Sequence, residues 1–195
     1  MAIVKFLRKI YTLLMSLYFI TGSKGKFKEI QSILSKIRQL EIDLPEIQEI
    51  DARKIVEAKL QSAFEHHSGE FIVEDTSLYL NCLNGLPGPL IKWFIKSLKN
   101  EGIVKITEKF ANNFALAKTI IGYSDRKKNI NFFEGEVKGR IVAARGSHGF
   151  GWNPIFQPNG ETRTFGEMSL EEKQKYSMRR IAAEKLKIFL NKNKI

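Results

Sequence analysis

Apolar residues at Phe27, Ile30, Ile33, Leu34, Ile37 and Leu40 recur three and four apart, a spacing that predicts an amphipathic helix over 24–40. An apolar run over 16–20 precedes it and reads as a buried first strand, so the chain opens as strand, Gly22 turn, helix. Residues 42–45 read as a short extended piece, and Ile55, Val56, Leu60, Ala63 and Phe64 give a second helix, 53–64, its apolar face. Residues 71–73 form a strand that closes on the acidic pair Glu74 and Asp75. Two prolines and two glycines within 85–89 exclude both helix and central strand. Helix resumes over 90–98, burying Ile91, Phe94, Ile95 and Leu98, and 103–112 is a further helix. The β-rich segments 114–123 and 130–136, joined by polar residues 124–129, predict a hairpin, and 137–144 a further strand. Ser169 and Glu172 have capping-box spacing, so a long last helix starts near Leu170, with Met178, Ile181, Ala182, Leu186 and Phe189 as its apolar stripe. Residues 191–195 form a polar tail. Helices alternating with strands, plus one hairpin, specify an α/β fold with a mixed sheet flanked by helices.

At 195 residues the chain is long enough for a real core, in one domain or two closely packed lobes. We divide it into an N-terminal extension, 1–15, and a single α/β domain, 16–195. Lys5, Arg8 and Lys9 followed by the apolar run 10–20 imitate a signal peptide. That run is too short to span a membrane, and cleavage after it would remove the first strand. The net charge of +11 favours a polyanionic partner: nucleotide phosphates, nucleic acid or an anionic membrane. Charge alone does not choose among them. The single cysteine, Cys82, excludes an intramolecular disulfide framework and reads as a small buried hydrophobe in a reducing compartment. His66, His67 and His148 lack metal-ligand spacing and read as surface-loop residues.

Three segments carry candidate chemistry. In residues 145–157, Arg-Gly-Ser-His-Gly-Phe-Gly-Trp-Asn-Pro-Ile-Phe-Gln, three glycines and an Asn-Pro step surround two aromatics. Such a loop either holds Phe150 and Trp152 partly out of the core for a flat ligand, or is a tight turn with two core aromatics. Near the start, Thr21, Gly22 and Ser23 lead into a helix bearing Lys24, Lys26 and Lys28, an arrangement suited to an anion. It is not a Walker A loop, because Ile20 and Phe27 stand where Gly and Ser or Thr are required. Glu74 and Asp75, adjacent on a strand, point to opposite faces, so one carboxylate faces a cleft directly. Beside a polyphosphate it would hold Mg²⁺ or activate water; without one the pair is a solvated strand end.

Taken together, Thr-Gly-Ser-Lys-Gly-Lys-Phe-Lys-Glu (21–29), Val-Glu-Asp-Thr-Ser-Leu (73–78), Gly-Leu-Pro-Gly-Pro-Leu-Ile-Lys-Trp-Phe (85–94), the 145–157 loop and Glu-Glu-Lys-Gln-Lys-Tyr-Ser-Met-Arg-Arg (171–180) resemble, in order and spacing, the inosine triphosphate pyrophosphatase family. The resemblance runs from about residue 18 to about 190. It implies an elongated two-lobed α/β fold with a central cleft, in a cytoplasmic homodimer. It also implies Mg²⁺-dependent hydrolysis of deaminated purine nucleoside triphosphates (ITP, dITP, XTP) to monophosphate and pyrophosphate, which clears damaged purines from the nucleotide pool. Residue by residue, it puts Thr21, Gly22, Ser23, Lys26 and Lys59 on the triphosphate, with Glu29 in the same motif as Lys26. Asp75 becomes the catalytic carboxylate, metal ligand or base, with Glu74 beside it, and Glu46 a second metal ligand. Phe150 stacks on the purine, Gly151 and Trp152 shape the pocket, and Asn153, Lys173, Ser177, Met178 and Arg179 lie near base and sugar.

The chain departs from the family pattern at three places: Ser23 replaces Asn, Asn153 replaces Asp and Met178 replaces His. Asn153 exchanges a pure acceptor for an amide that also donates, and Met178 removes a donor. Weaker discrimination between 6-keto and 6-amino purines is therefore expected. Two other classes stay compatible with the sequence. One is a relative that binds nucleotides without turnover, motivated by the same three departures. The other is a basic nucleic-acid-binding protein, disfavoured by the lack of a recognition helix or an RNA-binding aromatic signature.

Overall fold

A computed structural model describes residues 16–193; the expected extension, 1–15, and the last two residues of the expected tail lie outside it. Strand β1 (Leu17–Ile20) enters a turn and helix α1 (Lys24–Gln31), and β2 (Arg38–Leu40) returns parallel to β1. Helix α2 (Ala52–His66) leads to β3 (Glu70–Leu80), which is parallel to β1. The two-residue β4 (Pro87–Gly88) precedes helix α3 (Ile91–Lys109). Strands β5 (Phe114–Ser124) and β6 (Ile130–Ile141) form the hairpin, and β7 (Phe156–Pro158) pairs with β6. Helices α4 (Leu170–Gln174) and α5 (Met178–Lys192) close the chain. Among the described residues the sheet has seven strands in the order β2-β1-β3-β5-β6-β7, with β4 attached to β3, parallel at one edge and antiparallel across the rest. This is the expected mixed α/β architecture.

Several boundaries differ from expectation, each for a local reason. The helix over 24–40 ends at Gln31, where Ser32 Oγ donates to the Glu29 carbonyl at 2.8 Å and competes with the helical ladder. Beyond it the chain winds through turns that keep Ile37 buried and then pairs with β1. The acidic pair sits in the middle of β3, because Asp75 and Thr76 remain in register with Ile120 and Thr119 of β5. Segments 130–136 and 137–144 belong to one strand, β6, which ends at Ile141. The expected 90–98 and 103–112 helices join across a break at Lys99. The long last helix is two, since Ser177 caps a new start by accepting from Arg180 N. His67 is packed edge-on between Tyr18 and Phe71, and Cys82 is half-buried against the core.

Side-chain alternation along β3 divides the core. Phe71 and Val73 join Ile120, Val56 and Leu60 beneath α2 on one face. On the other, Ile72 and Ile121 pack under α1 and α5, while Leu78, Leu80 and Ala117 pack with α3, Trp152 and Phe156. Between those two apolar clusters on the same face lie Glu74 and Thr76, and Thr119 opposite Thr76. A polar belt thus crosses the sheet, and it is over this belt that the functional groups gather.

Gly135 continues the row across Thr76 and Thr119 onto β6. A Cβ there would collide with the Met178 carbonyl and lie 2.8 Å from Ala182 N, so the glycine is what lets α5 settle on the sheet. Gly135→Ala is expected to cost about 1–3 kcal/mol, the range for overpacking against backbone, read as a lower urea midpoint. An unchanged midpoint would show that α5 moves freely on β6.

Candidate active site

The β1–α1 turn is ordered by its own side chains. Ser23 N donates to Thr21 Oγ1 at 3.1 Å, Ser23 Oγ accepts from Lys26 N at 3.3 Å, and Gln39 Nε2 donates to the Thr21 carbonyl at 2.8 Å. An added Cβ on Gly22 would meet nothing within 4 Å, so open space lies over the turn. That space is a cavity of about 580 Å³ bounded by Thr21, Gly22, Lys26, Glu46, Lys59 and Lys92. Lys59 Nζ donates to Glu46 Oε1 at 2.8 Å and to the Glu74 carbonyl at 3.3 Å, while Lys92 Nζ reaches Glu46 Oε2 at 3.0 Å. Burial raises the Glu46 pKa, but the two ammoniums outweigh it and hold the group at about 2.

Glu74 also borders this cavity, yet its oxygens are taken. Arg179 Nε and Nη2 donate to its two oxygens at 2.7 and 3.1 Å, and Lys26 Nζ lies 2.9 Å from Oε1. Asp75 points to the α2 face, as strand alternation requires, and its Oδ2 accepts from Ser77 Oγ at 2.7 Å. Burial raises the Asp75 pKa; Lys59, Lys26 and Ser77 pull it back, and the neighbouring Glu74 charge adds to the rise. Among the described residues no three His, Cys, Asp or Glu side chains converge as a metal cage. Asp75 lines neither cavity, but Lys59, which binds Glu46, also acts on its charge, and such a carboxylate pair suits Mg²⁺, which takes one or two protein carboxylates and completes its shell with water and phosphate oxygens.

A second cavity, of about 420 Å³, opens beside the first, lined by Phe150, Asn153, Lys173, Met178 and Arg179 together with Ile91 and Ile95 of α3. The two aromatics of the 145–157 loop separate here. Phe150 is 38 % exposed in the cavity, whereas Trp152 reaches the cavity lining but is otherwise a core residue, 5.3 Å from Phe156 between ring centroids. Gly25 permits the Phe150 ring to lie against α1, since a Cβ there would sit 2.7 Å from two ring carbons. Lys173 Nζ and Arg179 Cζ lie 5.3 and 5.8 Å from the ring centroid, within cation–π range.

Lys173 and Arg179, which alone read as exposed helix residues, are 4 % and 1 % exposed. Glu29 joins them: Lys173 Nζ reaches Oε1 at 2.8 Å and Arg179 Nη1 reaches Oε2 at 2.5 Å. Burial opposes ionisation of Glu29 and Glu74, but Arg179 first, then Lys173 or Lys26, hold both carboxyls below their ordinary values. Burial lowers the Lys173 pKa, and Glu29 opposes this. Asn153 Oδ1 accepts from Lys173 Nζ at 3.3 Å, while its buried Nδ2 has no partner among the described residues. Ser177 is buried as the α5 cap and stands outside both cavities. Sequence reasoning missed Lys92, which borders both cavities, and Thr76, which accepts from Arg179 Nη2 at 2.9 Å. The available signals were the position of Lys92 inside the 85–94 motif and the placement of Thr76 two residues after Glu74 on one strand face.

Residues 17–189 match the model of the Ham1 family. The chain is 42 % identical over 187 residues to an inosine triphosphate pyrophosphatase of Schizosaccharomyces pombe, covering 94 % of this chain and 99 % of that one. It is 40 % identical over 183 residues to the Kluyveromyces lactis protein of the same name, covering 88 % and 94 %. In fold it superposes on the Staphylococcus aureus Ham1 protein with a TM-score of 0.77 at 24 % identity, covering 92 % of this chain and all of that one. A HAM1 protein from Coxiella burnetii gives 0.78 at 22 % identity, covering 91 % and 98 %.

Because Glu29 and Glu74 titrate below their unfolded values, the stability they confer is complete above about pH 4.5 and is lost as pH falls toward their folded values. Arg179→Met leaves both carboxylates buried without the guanidinium and is expected to cost about 3–5 kcal/mol at pH 7. The gap from wild type should narrow on acidification from pH 5 to pH 3 in urea titrations. Parallel curves for the two proteins would refute this account of the cluster.

Proposed function

The chain belongs to the Ham1 family, and we propose that it is a nucleoside triphosphate pyrophosphohydrolase, splitting the α–β phosphoanhydride of ITP, dITP and XTP. The observation that carries this reading is that the two cavities share Lys26, Glu46 and Lys92. One end offers lysines and a helix N-terminus, the other a presented phenyl ring, as a ligand with a polyanionic tail and a flat base requires. Relatives named inosine triphosphate pyrophosphatase, 35–42 % identical, support the substrate class.

In this mechanism Lys26, Lys59 and Lys92 neutralise the phosphates and the β1–α1 turn amides orient them. Asp75, whose proton affinity burial raises, takes a proton from the attacking water. The water oxygen bonds to phosphorus, the anhydride P–O bond breaks, and pyrophosphate leaves. Glu46 and Asp75 would hold Mg²⁺, which supplies further charge neutralisation at the phosphates. Lys173 makes two hydrogen bonds from three N–H groups and Arg179 four from five, so each retains one donor. Donors at the base end suit a keto oxygen and leave an amino group unpaired. This reading includes a cytoplasmic homodimer that clears deaminated purines. Among the described residues no helix is long and apolar enough to cross a membrane.

Pyrophosphate release from ITP, XTP, GTP and ATP with Mg²⁺ tests the reaction. We expect ITP and XTP to lead and Asp75→Ala to slow release by roughly 10²–10⁴-fold. Nucleotide-induced thermal stabilisation without release in wild type would instead identify a binding protein.

Base choice gives a separate test. Asn153→Asp with Met178→His should raise the kcat/KM ratio of ITP to ATP roughly tenfold, the effect of one hydrogen bond made or lost. An unchanged ratio would remove these two positions from base selection.

A further inference from the structure

Helix α3 carries an interruption that the chemistry above leaves unexplained. At Lys99 the backbone has φ 58° and ψ −177°, a conformation ordinarily left to glycine and costly for a residue with a Cβ. The next residue, Asn100, turns its side chain toward the 145–157 loop, and its Nδ2 donates to the Gly151 carbonyl at 3.1 Å. The tip of that loop is otherwise closed on itself: Asn153 N donates to the Phe150 carbonyl at 3.3 Å and Ile155 N to the Trp152 carbonyl at 3.1 Å. Among the described residues, the Asn100 bond is the hydrogen bond that ties residues 150–152 to another element. It also carries a cost, because Asn100 Oδ1 is buried without a partner. A hydrogen bond gained beside an acceptor left unsatisfied adds little net stability. Strain at Lys99 and an orphaned oxygen at Asn100 both favour a device that places the loop over one that strengthens the fold.

The geometry points to Asn100 as a positioning residue for the aromatic end of the site: by fixing Gly151 it sets the Phe150 ring between α1 and the Lys173–Arg179 cations. The first half of α3 supplies Ile91 and Ile95 to the lining of the same cavity, with Ile95 Cδ1 3.7 Å from where a Gly151 Cβ would lie. The break at Lys99 therefore lies between the α3 residues that line the cavity and the asparagine that holds its loop. Asn100 touches neither the reacting atoms nor the lysines of the phosphate end. This inference rests on the reading that the 420 Å³ cavity receives the base.

Asn100→Ala, and Asn100→Asp, which keeps the shape but loses the donor, should each raise KM for ITP roughly tenfold with kcat within about twofold. Inhibition by inorganic tripolyphosphate, which needs only the phosphate end, should stay unchanged. Lys99→Gly, which takes the same backbone without a Cβ, should keep the wild-type KM. Independently of turnover, in a Trp93→Phe background the buried Trp152 should become more accessible to acrylamide when Asn100 is replaced. Wild-type KM in both Asn100 variants, a loss confined to kcat, or unaltered Trp152 quenching would overturn the proposal. If wild type released no pyrophosphate, the catalytic reading would fail and the quenching result would decide this one.

Discussion

Everything at the centre of this molecule depends on one buried guanidinium. Arg179, 1 % exposed, faces Glu74 of β3 and Glu29 of α1, so three elements distant in sequence meet at a single cation. Such a cluster is a poor source of net stability, because desolvating the charges consumes most of their attraction. Its effect is geometric. Two apolar clusters lie on the same sheet face, and hydrophobic burial alone would have let them merge or slide. The charged seam between them holds α1 and α5 at one separation and keeps a polar gap open above β3. Gly135 serves the same end by admitting α5 to close range.

Lys173 extends the seam to the ligand side. Its ammonium is shared between Glu29 and Asn153 and lies over the faces of Phe150 and Phe165. Selectivity at this end then depends on how many donors and acceptors remain once the internal bonds are made. Asn153 keeps an unused N–H pair and Met178 offers no polar atom, so the pocket wall is less committed to one pattern than charged residues would make it.

Much of the fold was legible because its strongest signals are local. The β5–β6 hairpin announces itself through β-branched and aromatic residues about a polar turn, and Ser169 and Glu172 form the capping box their spacing promised. The errors have one physical origin: a periodicity constrains which side is buried, not which hydrogen bonds the backbone makes. Ile33, Leu34 and Ile37 keep their buried side while the backbone leaves the helix for turns and a strand. Glu74 to Ser77 looks like a strand end because its polar side chains satisfy one another and Arg179 only in three dimensions. The site divides similarly. Phosphate-end residues sit on a glycine turn with a readable mechanism, whereas the burial of Arg179 required Glu29, 150 residues away. A family resemblance supplied what single-residue logic did not, although it named neither Lys92 nor Asn100.

Glu46 has a further consequence. In the free protein its carboxylate bridges Lys59 and Lys92, and with its pKa held at about 2 it stays charged near neutral pH, where protonation does not release it. The protein therefore carries its own counterion, tethered to the 42–46 segment, in the space where a phosphate tail is expected. An incoming anion does not meet bare ammoniums; it competes for them with a carboxylate already tethered beside them. A single weakly charged oxyanion gains little from that exchange. A chain of phosphates, able to satisfy both lysines at once while a cation follows it to the displaced carboxylate, gains a great deal, and the site is in this way an ion exchanger biased toward long anions.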